Sequence, residues 1–284
     1  MMQCGDYNYI LLDDGTAEIT AYTGGAESLS VPAQLDGHAV TSIGDEAFAG
    51  RDSLTSITLP DGLMSIGNDA FAGCESLLSI TLPDSLESIG DGALSGCVLL
   101  ESIMLPDSLT SIGMNPFIGC NSLAKIKVSP DHPTLATING VLFNKTEKKL
   151  LCYPGACEQK SYAVPNGITS IGDGAFYFCG FLTSVTLPST VTSIGDSAFA
   201  ACRFLSSITL PDGLTSIGEK AFVWCESLSN ITLPGSLTSI GEGAFNFCPD
   251  ELTFTVVRGS WAASWCKETG EEYTYTDSLD WLNS

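Results

Sequence analysis

The sequence predicts a right-handed solenoid of short parallel strands stacked coil on coil, a β-rich α/β architecture with short turns or 3-10 helices between strands. Two observations carry this. An Ile-Gly pair recurs every 23 residues, at Ile43, Ile66, Ile89 and Ile112 and again at Ile171, Ile194, Ile217 and Ile240. Other apolar residues keep fixed offsets from it, as in Leu54, Ile57, Leu59, Leu63, Ile66, Ala70, Phe71 and Cys74. A fixed period of about 20–29 residues marks a chain whose repeats are each one supersecondary unit. One coil cannot bury its apolar edge alone, whereas stacked coils present the same residues to one another and make a continuous core. Strand crossovers of this kind are right-handed.

Each element of a coil follows from its residues. Ile57 and Leu59 flank Thr58, and alternation of period two predicts a short strand with Ser56 and Thr58 facing solvent. Pro60-Asp61-Gly62 ends that strand, because proline lacks the amide donor and the trio favours a turn. Leu63 to Ile66 is a second extended run, broken by Gly67. Asn68, matched elsewhere by Asp45, Asp91, Asp173, Asp196, Glu219 and Glu242, is placed to cap a short helical turn carrying Ala70 and Phe71 inward.

Cys74, Cys97, Cys120, Cys179, Cys202, Cys225 and Cys248 form a ladder, one thiol to a coil. Zinc needs ligands that converge tetrahedrally, so the ladder reads as small buried apolar side chains. The acidic series diverges in the same way, against the six to eight converging oxygens of a calcium site. No metal or cofactor is expected.

From Ile112 to Ile171 the step lengthens to 59 residues. The interruption, 129–164, separates a first repeat block (41–128) from a second (165–256). Asn139-Gly140 marks a turn, and Val141 to Phe143 and Leu150 to Tyr153 read as strands of an inserted β-hairpin. Its tip is basic, and Lys145, Lys148 and Lys149 are a candidate contact point for an anionic partner. The formal charge of the chain is -22. Six of its eleven basic residues (Lys125, Lys127, Lys145, Lys148, Lys149 and Lys160) fall between 125 and 160. Such a balance argues against nucleic acid, which needs clustered lysine and arginine. No run of 18 apolar residues is present, so no membrane insertion is expected, and no signal peptide is visible at the start.

Two surface stripes stand out. Strand positions facing solvent form a hydroxyl column, with Thr186, Thr209 and Thr232 in the later coils and Met104 and Lys127 interrupting it earlier. As the expected concave face, it would suit a glycan or extended peptide, or be a plain solvated face. The second stripe lies two residues after the inward phenylalanine. Gly50, Gly73, Gly96 and Gly119 give way there to Phe178, Trp224 and Phe247, with Tyr177, Phe181 and Phe204 nearby. These aromatics read either as filling for a wider convex layer or as a partner or self-association surface. His38 and His132 are the only histidines, and no phosphate-binding or dinucleotide fingerprint is present, so no enzyme activity is expected.

The phrase Leu77-x-x-Ile80-x-Leu82-Pro83, continuing through Leu86-x-x-Ile89-Gly90-Asp91 to the Ala-Phe/Leu-x-x-Cys close, resembles the BspA-like bacterial leucine-rich repeat family along essentially the whole chain. Residues 1–40 resemble its N-terminal cap segment, and 257–284 its closing helix and tail. The departures are Leu94 for phenylalanine, Met114-Asn115-Pro116 for the acidic turn, and Arg51 for cysteine in a first coil expected to be exposed at its edge. The resemblance implies one elongated domain, extracellular or at the cell surface, engaged in adhesion or binding without catalysis. Its partner would be a protein or glycan of the host or a neighbouring microbe. A passive spacer is the alternative.

Overall fold

The computed structural model describes residues 1–276 and divides them into two compact units. The first comprises Met1–Thr146 with Cys152–Ala156, the second Glu147–Leu151 with the chain from Cys157 onward. The last residues of the expected C-terminal tail, 277–284, lie outside the described residues.

The two extended runs of each coil belong to separate parallel sheets. In the first unit, His38–Ile43, Ser65–Ile66, Ser88–Ile89 and Ser111–Ile112 pair in register, Ile43 against Ile66 and Ile89 against Ile112. The other runs pair as Ser28–Ser30, Ser56–Thr58 and Ser79–Thr81, followed by Ser102–Met104 with Lys125–Lys127. An antiparallel meander of Met2–Cys4, Tyr7–Leu11 and Ala17–Tyr22 closes the N-terminal end, its last strand running parallel to His38–Ile43. In the second unit, Lys149 and Leu150 pair with Ser170–Ile171, which is followed by Ser193–Ile194, Ser216–Ile217 and Ser239–Ile240. Ser161–Ala163, Ser184–Thr186 and Ser207–Thr209 form its other ladder, and Asn230–Leu233, Thr253–Val256 and Tyr273–Tyr275 continue as a separate sheet. The closing helix, Trp261–Thr269, starts where Ser260 accepts from Ala263 N and stops at Gly270, φ 83°.

Stacking identical coils puts identical side chains in columns. Phe176, Phe199, Phe222 and Phe245 stack with centroids 4.8, 5.2 and 5.2 Å apart and nearly parallel rings. Phe254 and Trp265 cap that column edge-on, at 5.0 Å from Phe245 and 5.6 Å from Phe254 respectively. In the first unit Tyr22 of the meander stacks on Phe48, and Phe48 on Phe71, at 5.3 and 5.1 Å. The meander therefore covers the first coil. Arg51 is half-buried, with its Nε shielded from solvent, rather than exposed at an edge as the sequence suggested.

Two columns owe their identity to the coil below. The glycine after each isoleucine ends the strand and also has no room for a side chain. A Cβ on Gly67 would sit 2.7 Å from Asp45 N and 2.8 Å from Gly44 C, and one on Gly90 2.6 Å from Gly67 C. The Asp/Asn that follows bonds across coils instead of capping its own turn. Asp45 Oδ1 accepts from Asn68 N at 2.7 Å, Asn68 Oδ1 from Asp91 N at 2.8 Å, and Asp196 Oδ1 from Glu219 N at 2.7 Å.

The cysteines also do more than fill space. Cys74 Sγ–H donates to Phe48 O at 3.1 Å, Cys202 to Phe176 O at 2.9 Å, and Cys225 to Phe199 O at 3.2 Å, each reaching one coil back. The thiol is thus a buried donor for a carbonyl of the turn below. Burial pushes Cys74 and Cys248 up to about 11 and Cys120 to about 12, and raises Cys97 and Cys225 further.

Candidate interaction surface

Many surface hydroxyls are engaged in joining coils. Ser65 donates to Ser42 and Ser42 to Glu18, both at 2.9 Å. Thr215 donates to Thr192 O at 2.9 Å and Thr238 to Thr215 O at 3.0 Å. Over the Ser-Ile-Gly columns each unit has a shallow groove, about 440 Å³ in the first and 410 Å³ in the second. The sequence marks these serines only as members of a second extended run, and nothing local singles out that face. Thr186, Thr209 and Thr232 lie exposed on the other sheets.

The remaining sequence candidates are placed as follows. Met104 and Lys127 are exposed at facing positions of paired strands. Met104 also lines a groove of about 550 Å³ with Leu105, Pro106, Val128 and Pro130. Lys145 is exposed in the first unit and Lys148 in the second. Lys149 stands apart from the hairpin tip: it is half-buried at the start of its strand and lines the second unit's Ser-Ile-Gly groove with Asp173 and Asp196. Its register against Ser170 assigns it to the serine column, a placement that depends on a pairing across the insertion.

The exposure of the aromatic stripe bears on the two readings of it. Filling for a convex layer would be buried, but Phe178, Phe181, Phe204, Trp224 and Phe247 are 40, 49, 59, 45 and 69% exposed. Tyr177 is half-buried, with its ring 6.3 Å from that of Phe178. Successive coils are tied together along this column, Phe178 N to Ala200 O at 2.9 Å, Ala201 N to Val223 O at 2.8 Å, and Trp224 N to Asn246 O at 3.0 Å. The rings of Trp224 and Phe247 consequently approach to 5.7 Å. Ala201, buried, leaves a gap that Arg203 partly spans, its guanidinium 6.0 Å from the Phe178 centroid and its Nε 3.4 Å from Glu226.

The backbone at this column is left-handed. Gly50, Gly73, Gly96 and Gly119 have φ of 64, 69, 70 and 72°, a conformation glycine adopts without penalty. Phe178, Trp224 and Phe247 hold the same conformation, at 61, 60 and 60°. For a bulky side chain this is a genuine outlier, costing about 1–2 kcal/mol per residue. The fold demands the left-handed turn at every coil; glycine meets the demand in the first unit, and aromatic residues meet it under strain in the second. Glycine in the early coils and aromatics in the later coils of this one column are visible in the sequence. The strain was not.

Among the described residues, no group of three or more histidine, cysteine, aspartate or glutamate side chains is placed to hold a metal ion, and no helix is long and apolar enough to cross a membrane.

A stack of short parallel strands with inward leucines, prolines at strand ends and individual side chains displayed along columns defines a leucine-rich repeat solenoid. The chain belongs to the BspA-type leucine-rich repeat family, whose model matches residues 41–154 and 150–260 in six copies. Among solved structures it is similar to a leucine-rich cell surface protein of Faecalibacterium prausnitzii, at 26% identity over 99% of this chain and 96% of that one, with a TM-score of 0.63. The pneumococcal vaccine antigen PcpA shares the fold at 20% identity, 95% and 82% coverage and a TM-score of 0.69. So does a leucine-rich repeat protein of Eubacterium ventriosum, at 24% identity, 89% and 76% coverage and 0.67. No curated protein matches the chain at a significant level.

Proposed function

We propose that this chain is a non-enzymatic recognition module that binds a macromolecule, in the first place a protein, at the bacterial surface or after secretion. The observation that carries the reading is the column of exposed aromatic side chains in the second unit, interrupted only at Ala201, where Phe178, Trp224 and Phe247 hold a backbone conformation that glycine would adopt freely. A spacer needs only the repeat, and there a uniformly consensus surface would suffice. Exposed rings on a strained column make sense when something covers them. The similar Faecalibacterium protein is described as a cell surface protein, which agrees with a location outside the cell and with adhesion as the use of binding.

The spacer reading draws on the Ser-Ile-Gly serines and on Thr192, Thr215 and Thr238, whose hydroxyls are engaged between coils. The test is a binding screen against extracellular-matrix proteins, mucins and glycans. One variant carries Phe204→Ser, Trp224→Gly and Phe247→Gly; a second carries Lys145→Glu and Lys148→Glu; a third replaces Thr186, Thr209 and Thr232 by alanine. A ligand lost only by the first variant supports the aromatic column; loss confined to the second or third moves the site to the basic hairpin or the hydroxyl column. Binding that all three variants retain would leave none of these surfaces as the site. Sedimentation of the unmodified protein reports self-association through the same rings.

A further inference from the structure

We propose that the aromatic column of the second unit docks a cationic segment of a partner protein, seating lysine or arginine side chains over Trp224 and Phe247. This deepens the recognition reading and rests on it. The first reason is charge. Residues 173–251 carry eight carboxylates against two basic residues, Arg203 and Lys220. Between 221 and 257 there are Glu226, Glu242, Asp250 and Glu251 and no lysine or arginine at all. The four carboxylates there are exposed, as are the rings of Trp224 and Phe247. A ring face attracts a cation through its quadrupole, and nearby carboxylates steer and pair it.

The second reason is an internal precedent. Arg203 lies over the Phe178 ring at 6.0 Å and pairs with Glu226 at 3.4 Å, so one guanidinium already occupies a site between ring and carboxylate. One coil further on, the exposed rings of Trp224 and Phe247 lie 5.7 Å apart in a stretch whose charged residues between 221 and 257 are all acidic, the turn of Trp224 adding a single lysine, Lys220. The third reason concerns the alternatives. A second copy would bring the same acidic column to face itself, since the chain carries a formal charge of -22. Like charges set face to face oppose association. A flat glycan platform calls for coplanar rings, whereas Trp224 and Phe247 are inclined by 59°.

The probe is a fluorescein-labelled peptide of alternating arginine and glycine, its affinity measured by anisotropy at physiological salt. The neutral citrulline version serves as control. The protein is compared with the Phe204→Ser, Trp224→Gly, Phe247→Gly variant, whose net charge is unchanged, and with Trp224→Asn, Phe247→Asn, since asparagine tolerates the left-handed turn. The proposal expects both variants to bind the arginine peptide about 10-fold or more weakly, and citrulline to bind no better than the variants do. Equal affinity in protein and variants would mean diffuse attraction to an acidic body and would overturn it. So would equal binding of the citrulline peptide, a dimer of the unmodified protein that the variants dissolve, or a neutral oligosaccharide bound through the rings in place of the peptide. Should the peptide fail while a screened protein is still lost by the variant, the recognition reading stands and the cationic partner falls.

Discussion

Phe247→Gly separates a displayed ring from a packed one. The residue is 69% exposed at φ 60°, so about a third of its surface is covered. Losing that cover costs about 0.5–1 kcal/mol, a third of the stabilisation from burying a whole phenylalanine. Glycine adds about 0.5–1 kcal/mol of unfolded-chain entropy to be lost on folding. Against these stands the relief of left-handed strain, about 1–2 kcal/mol. The terms nearly cancel, and the substitution should change unfolding stability by no more than about 1 kcal/mol on those figures. Phe247→Ala loses the same contacts and keeps the strain, so it should be less stable than the glycine variant by about 1 kcal/mol. Phe222, fully buried in the stacked column, gives the contrast: Phe222→Ala should cost about 3–5 kcal/mol. Urea midpoints for the three variants check this, with m-values held constant. A loss above about 2 kcal/mol for Phe247→Gly, or an alanine variant as stable as the glycine one, would refute the reasoning, because either result makes the ring a packing element.

Gly90→Ala should destabilise the fold by about 2 kcal/mol or more, since its Cβ would meet the carbonyl carbon of Gly67 at 2.6 Å, and thermal melting reads this directly. Asp196→Ala leaves Glu219 N without its 2.7 Å acceptor near the surface and should cost about 1 kcal/mol, with asparagine restoring most of it. The buried thiols make the fold sensitive to alkali. Cys74 and Cys248 rise from 9.0 to about 11 on folding, so both states are protonated below pH 9; above it the unfolded chain ionises first. Stability should therefore fall between pH 9 and 11, by about 1.4 kcal/mol per thiol per pH unit, and a urea titration across that range should show it. Replacing Cys74 and Cys248 by alanine should make the slope shallower by about 2.8 kcal/mol per pH unit, the part left including that of Cys97, Cys120 and Cys225. His132 accepts from Thr134 N and Leu135 N through Nδ1 at 3.2 and 3.0 Å in a buried site. His132→Leu should cost about 1–3 kcal/mol by orphaning those amides, measured as a lowered denaturant midpoint.

Most of the architecture was legible because a repeat states its own register. Ile57 and Leu59 around Thr58 and the Pro-Asp-Gly stop specify a strand and its end locally, and the 23-residue step specifies what lies above and below. What a column residue touches in the neighbouring coil was not legible. Asp45 looked like a cap for its own turn and bonds Asn68 of the next coil; Gly67 looked like a breaker and is a place where two backbones meet. Lys149 looked like part of a loop tip because its strand pairs with Ser170 across the insertion, a contact no local pattern encodes.

The candidate surface divides in the same way. The sequence by itself determined that aromatic residues replace glycine in the second block, because the change is visible in a column of otherwise identical letters. Whether those rings were core or surface depended on how the stacked turns orient each side chain and on what its neighbours cover, which no single coil states. Only the tertiary structure decided it. The stacked turns force a left-handed residue at each coil, and in that conformation the side chains of Phe178, Trp224 and Phe247 project from the body instead of packing into it.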